Sequence, residues 1–160
     1  MDQLSRSELE AGLPWLLQSP SDDGRLELIV SRPAVNEREL LSEGIIDLSV
    51  GLVGDNWLAR GGSRGVDHAA DPDAQITVIN ARLAALVAGY WRDGFSDRPD
   101  SGDSGSVGSL RSAGSAGSLR SPGSPGSAGV DRRALAGDQL HLDFDISEDN
   151  LPVGSHLRLG

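Results

Sequence analysis

The 160 residues contain no cysteine and no lysine. Without a thiol the chain cannot carry a persulfide, ligate a soft metal through sulfur or close a disulfide. Without a lysine amine it has no side chain for a Schiff base to pyridoxal phosphate, so covalent binding of that cofactor is not expected. All fourteen basic residues are arginines, they stand against 24 acidic ones, and the net charge is −10. Such a charge opposes binding to nucleic acid or to an anionic membrane, because polyanion binding relies on counterion release by clustered cations. The first twenty residues lack both a basic n-region and a long apolar run. No signal peptide or membrane anchor is read there, and a cytoplasmic location is expected.

What is present suits one domain over 1–160 with a modest core, carrying a Gly/Ser-rich insert at 96–129. The insert holds a direct repeat, GSLRSAGSA from Gly108 followed at once by GSLRSPGSP from Gly117. Nine residues is too short a unit for a solenoid. A stretch so poor in apolar side chains cannot offset its ordering entropy, so a flexible, disordered loop is expected.

The flanks must therefore supply the fold. Ser7 and Glu10 fit a capping box for a helix that Gly12 and Pro14 should cut short, leaving Trp15, Leu16 and Leu17 as an apolar plug. Residues 25–32 read as a strand, with Leu26, Leu28 and Val30 on one face and Pro33 as its stop. Residues 36–42 are adequate helix formers for one or two turns, closed by Gly44. A long loop follows, punctuated by Gly51, Gly54, Gly61, Gly62 and Gly65. Residues 75–79 form a second strand, feeding a helix N-capped by Asn80 whose apolar face runs from Ala81 to Ala88 and whose end Gly89 weakens. Near the C-terminus Leu140, Leu142, Phe144 and Ile146 alternate with Gln139, His141, Asp143 and Asp145. That period of two predicts a strand with one face on a core and one in water, His141 being a surface residue. Asp149, Asn150, Pro152 and Gly154 then turn the chain, and a further strand is expected to begin at Ser155.

Several motifs carry chemistry in other proteins. Gly61, Ser63 and Gly65 match the letters of a nucleophile elbow, but residues 66–72 are a poor helix and no oxyanion-hole loop precedes them, so a glycine-rich loop is the better reading. The same glycines flank Arg60 and Arg64, and exposed amides beside two guanidinium forks suit a phosphate or carboxylate. Solvated arginines, or pairs with Asp55 and Asp67, account for the pattern better. Asp67, His68, Asp71 and Asp73 are possible hard-metal ligands, yet their spacing matches no established site and Pro72 lies among them. Asp143, Asp145 and Ser147 begin like an EF-hand loop and fail where Glu148 replaces the required glycine. No metal ligand is assigned.

Three stretches together resemble the MOSC domain, the family named for the C-terminal domain of molybdenum cofactor sulfurase. They are LELIVSRP followed by GLVGD, then QITVINARLAAL, then GDQLHLDFDISEDNLPVGSHLRLG. The resemblance implies a mainly β fold with small α elements (α+β), a MOSC-like β-barrel incomplete at its C-terminus. It also implies a role in molybdenum cofactor binding or as a sulfur carrier, although the family's cysteine, which would follow the strand at Ser155, is missing. Gly54, Asp55, Arg60 and Arg64 lie where the family has its Gly-Asp loop and nearby basic residues, so they are the candidates for binding the cofactor. The implied ligand is a phosphorylated or pterin small molecule. The alternative is a noncatalytic truncated fragment or an anion-binding module without enzymatic activity.

Overall fold

In a computed structural model of the chain, residues 4–61, 69–90, 111–113, 116–120 and 131–157 are described. The first helix, α1 (Arg6–Leu16), starts two residues earlier than its sequence signal suggests. Its cap is Ser5, whose hydroxyl accepts from the Glu8 amide while the Glu8 carboxylate accepts from the Ser5 amide. Pro14 does not break it. The missing proline N–H removes one bond, to the carbonyl four residues back at the exposed Glu10, and α1 continues for a further half turn.

Strands follow at Arg25–Ser31 (β1), Glu39–Leu41 (β2), Glu43–Asp47 (β3), Gly51–Leu52 (β4), Val78–Asn80 (β5), Arg111–Ala113 (β6), Ala116–Arg120 (β7) and Leu140–Asp143 (β8). Between them lie α2 (Trp57–Arg60), α3 (Ala81–Ala88) and 3₁₀ turns at Pro72–Ala74 and Arg132–Ala136. One sheet has the order β2-β1-β8-β5 and the other β4-β3-β7-β6. All neighbours are antiparallel except β5 and β8, which run parallel. The architecture is therefore mixed α/β, with four-stranded sheets and small helices. Among the described residues the sheets keep free edges and no closed barrel forms.

Residues 39–41 pair with β1 as a strand instead of forming a helical turn, because Leu41 opposite Ile29 gains a partly buried position that local helix propensity cannot offer. Of the insert at 96–129, the structure describes β6 and β7, a hairpin that pairs β7 with β3; the rest lies outside the described residues. Ser155, His156 and Leu157 are exposed and belong to no strand, so the strand expected from Ser155 is not formed there. His141 is fully buried. The strand that carries it lies inside its sheet, between β1 and β5, and both of its faces are covered.

The two faces are sorted by one irregularity. Leu26 pairs with Leu142 and Leu28 with His141, so Glu27 is an extra residue on β1. A bulge of this kind shifts the side-chain phase. Leu26 and Leu28 consequently point to opposite faces, not to the same one. Leu26, Ile29, Leu140 and Leu142 pack with Leu52 of β4 and the partly buried Ile46 of β3, joining the two sheets. Leu28 and Val30 pack with Ala134 on the other side.

That second side is roofed by α3. Asn80 caps α3 through a 3.0 Å bond from the Leu83 amide, and its side-chain nitrogen donates to Ser19 Oγ and to the Phe144 carbonyl. Arg82 pairs with Asp143 at 2.7 Å, donates to the Trp15 carbonyl and lies over the Trp15 ring. Gly12 lets α1 approach, since a Cβ there would sit 2.3 Å from a Leu86 methyl.

Candidate functional site

The loop singled out by the sequence, Gly54 and Asp55, is fixed to the end of β1 by a partner the sequence did not suggest. Arg32, directly after β1, offers its Nε and Nη2 to the two oxygens of Asp55 at 2.8 and 3.0 Å. The Arg32 amide also donates to Asp55 Oδ2 at 3.0 Å, and the Trp57 amide donates to Oδ1 at 2.9 Å. Four donors fill the carboxylate. The pair is almost wholly buried, with 8% of the Arg32 side chain and 0% of the Asp55 side chain exposed. An isolated ion in such a place is prohibitively costly, and only a paired and hydrogen-bonded one persists. Asp55 thus holds its loop in place, and its oxygens are already taken.

The other predicted residues differ among themselves. Gly54 is exposed with φ of +91°, and nothing lies within 4 Å of where a side chain would start. Arg60 ends α2, exposed, its amide bonded to the Asn56 carbonyl at 2.8 Å. Arg64 lies outside the described residues, as do Ser63, Asp67 and His68. Asp71 caps the 3₁₀ turn by accepting from the Asp73 amide. Among the described residues no group of three His, Asp or Glu side chains could hold a metal ion.

Around Arg32 other polar groups gather. Its Nη1 donates to the Gly137 carbonyl at 2.8 Å, and its own carbonyl accepts from the Asn56 amide at 2.9 Å. Arg38, on the approach to β2, brings Nη2 to 3.8 Å from the point where a Cβ on Gly137 would stand. Ser31 Oγ, Asn56 Oδ1 and Arg38 Nε are buried with no hydrogen-bond partner among the described residues. Burial pushes the Asp138 carboxyl up, against the Thr77 hydroxyl and the charge of Arg32. Arg32 escapes a sequence reading because its partners are remote: Asp55 is 23 positions away, and Gly137 is 105. The one local signal is a pair of arginines bracketing a proline-containing turn after a strand.

The buried His141 forms a second polar point on the face roofed by α3. Neither ring nitrogen meets hydrogen-bond geometry. Burial, followed by the nearby charge of Arg133, drives its pKa down to about 4, while the Asp138 carbonyl and the Asp131 carboxylate pull weakly the other way. Asp131 is itself engaged by Arg133 at 2.7 Å. Burial would raise the Asp131 carboxyl, but the hydrogen bonds and charge of Arg133 outweigh it and the net shift is downward. A buried neutral ring whose nitrogens make no hydrogen bond packs as a shape in the core and is a poor base.

The donors left without an acceptor at the end of β1, Arg38 Nε and the Ser31 hydroxyl, suit an oxyanion. Compared with protein-family models, with curated proteins and with solved structures, the chain matches none of them.

Proposed function

We propose that the chain is a MOSC-like binding module that takes a phosphorylated small molecule of the pterin type and performs no sulfur chemistry of its own. The stretches that resemble the family contribute β1, β5 and β8 of one sheet, with β8 between the other two, and β4 of the second sheet, whose Leu52 packs against them, which supports reading them as one unit. The observation that carries the functional part is the Arg32–Asp55 pair. It anchors the Gly54 loop beside β1, next to α2, which ends on the exposed Arg60. Guanidinium forks suit the phosphate of a molybdenum cofactor or of a related pterin. With no cysteine, the chain has no thiolate to offer the metal of such a cofactor and none to carry a persulfide.

Isothermal titration with a phosphorylated pterin tests this. Saturable heat is expected with the wild-type protein, together with about tenfold weaker binding in the Arg60→Ala/Arg64→Ala variant, equivalent to ~1.4 kcal/mol. Equal heats from the two proteins, or none from the wild type, would remove the reading.

A further inference from the structure

We infer that Arg38 is a specific oxyanion subsite, a second guanidinium fork beside the one that Asp55 already fills. The inference rests on the anion-binding reading and deepens it, by naming the residue that grips the charged group. Ser31 pairs with Glu39 in the β1–β2 ladder, so one step further the antiparallel register sets Arg38 across from Arg32. Both guanidinium groups converge on Gly137: Arg32 donates to its carbonyl, and Arg38 Nη2 lies 3.8 Å from its would-be Cβ. Gly137 has φ of +90°, a conformation that side-chain-bearing residues rarely adopt. No Cβ stands between this backbone and the Arg38 guanidinium.

The two arginines are then treated differently. The Nε/Nη2 edge of Arg32 meets both oxygens of Asp55. Arg38 spends Nη1 on the neighbouring Glu37 carbonyl at 2.6 Å, and its buried Nε has no acceptor among the described residues. A buried donor left unsatisfied is destabilising, more so on a charged group. The edge that Arg32 uses for a carboxylate is therefore present a second time without its carboxylate. A side-on oxyanion accepting from Nε and Nη2 would satisfy it and balance the charge that Asp55 does not neutralise. Phosphate and carboxylate share this chemistry. The same end of β1 also holds the unpartnered Ser31 hydroxyl, 1% exposed.

The test is a titration of the full chain with inorganic phosphate, followed by the arginine Nε–Hε resonances in ¹⁵N correlation spectra. The Arg38 resonance is expected to shift saturably, and phosphate affinity to fall about tenfold in Arg38→Gln. Arg38→Lys keeps the charge but not the planar fork and is expected to lose most of the affinity too. Arg6→Gln, which alters an exposed pair on α1, should bind like the wild type. Acetate at equal ionic strength separates the two sources: displacement of phosphate assigns the subsite to carboxylates, and no displacement assigns it to phosphates. Phosphate affinity that is the same in wild type, Arg38→Gln and Arg38→Lys overturns the inference. If the phosphorylated pterin still binds in that case, the broader proposal stands without Arg38. If phosphate binds through Arg38 and the pterin does not, the subsite stands and the pterin reading falls.

Discussion

Two side chains test the energetics of buried polarity most directly. Asp55 accepts four hydrogen bonds and neutralises Arg32 in a site closed to water. Asp55→Ala leaves an uncompensated buried guanidinium and should cost about 3–5 kcal/mol in urea unfolding. Asp55→Asn retains acceptor capacity at one oxygen and should cost less. His141 has the opposite character. Its folded pKa of about 4 lies below the ordinary value of 6.5, so the unfolded chain binds the proton more readily. Its contribution is thus complete above about pH 6.5 and declines as the pH falls towards 4. Between pH 7 and pH 5 the loss should be roughly 2 kcal/mol. His141→Leu should flatten that part of the stability profile while remaining folded at pH 7, because it removes two ring nitrogens that have no partner. An unchanged profile in the variant would mean that the imidazole titrates elsewhere than in the core.

At the scale of elements, α3 depends on its first residue. Asn80→Ala removes the cap and leaves Ser19 and the Phe144 carbonyl without their shared donor, and should lower stability by about 2–3 kcal/mol. Asn80→Ser keeps a capping oxygen but not the reach, so thermal melts should place it between wild type and Ala. This helix start was legible in the sequence, since an N-cap asparagine ahead of an apolar face is a local signal. The strand at 25–31 was legible for a similar reason, a β-branched and apolar run closed by proline. The sorting of its faces was not. Strict alternation predicts Leu26 and Leu28 together, and only the pairing with Leu142 and His141 reveals the bulge at Glu27. His141 and Gln139 show the same limit from another side: polar residues alternating with leucines imply a wet face only if nothing covers it. Here the 3₁₀ turn at Arg132–Ala136 lies on one side, and Gln139 is satisfied by the Thr77 amide and hydroxyl at 2.7 and 2.6 Å. For the site, the sequence singles out Gly54 and Asp55, but what Asp55 grips, Arg32, lies 23 positions away.

For the molecule as a whole, the packing of Leu52 and Ile46 against Leu26, Ile29, Leu140 and Leu142 couples the two sheets. One cooperative urea transition is therefore expected, with circular dichroism and tryptophan fluorescence coincident. Separate transitions would mean that the sheets are independent. The described helices include none long and apolar enough to cross a membrane. The order of strands in the first sheet has a consequence in time. The strand made last among its four members, β8, is inserted between β1 and β5, which never touch each other within the sheet. While the polypeptide is still emerging from the ribosome, two apolar ribbons must wait with a gap between them. Such late insertion predicts slow refolding after dilution from urea, and a nascent chain that relies on chaperones until its centrepiece arrives.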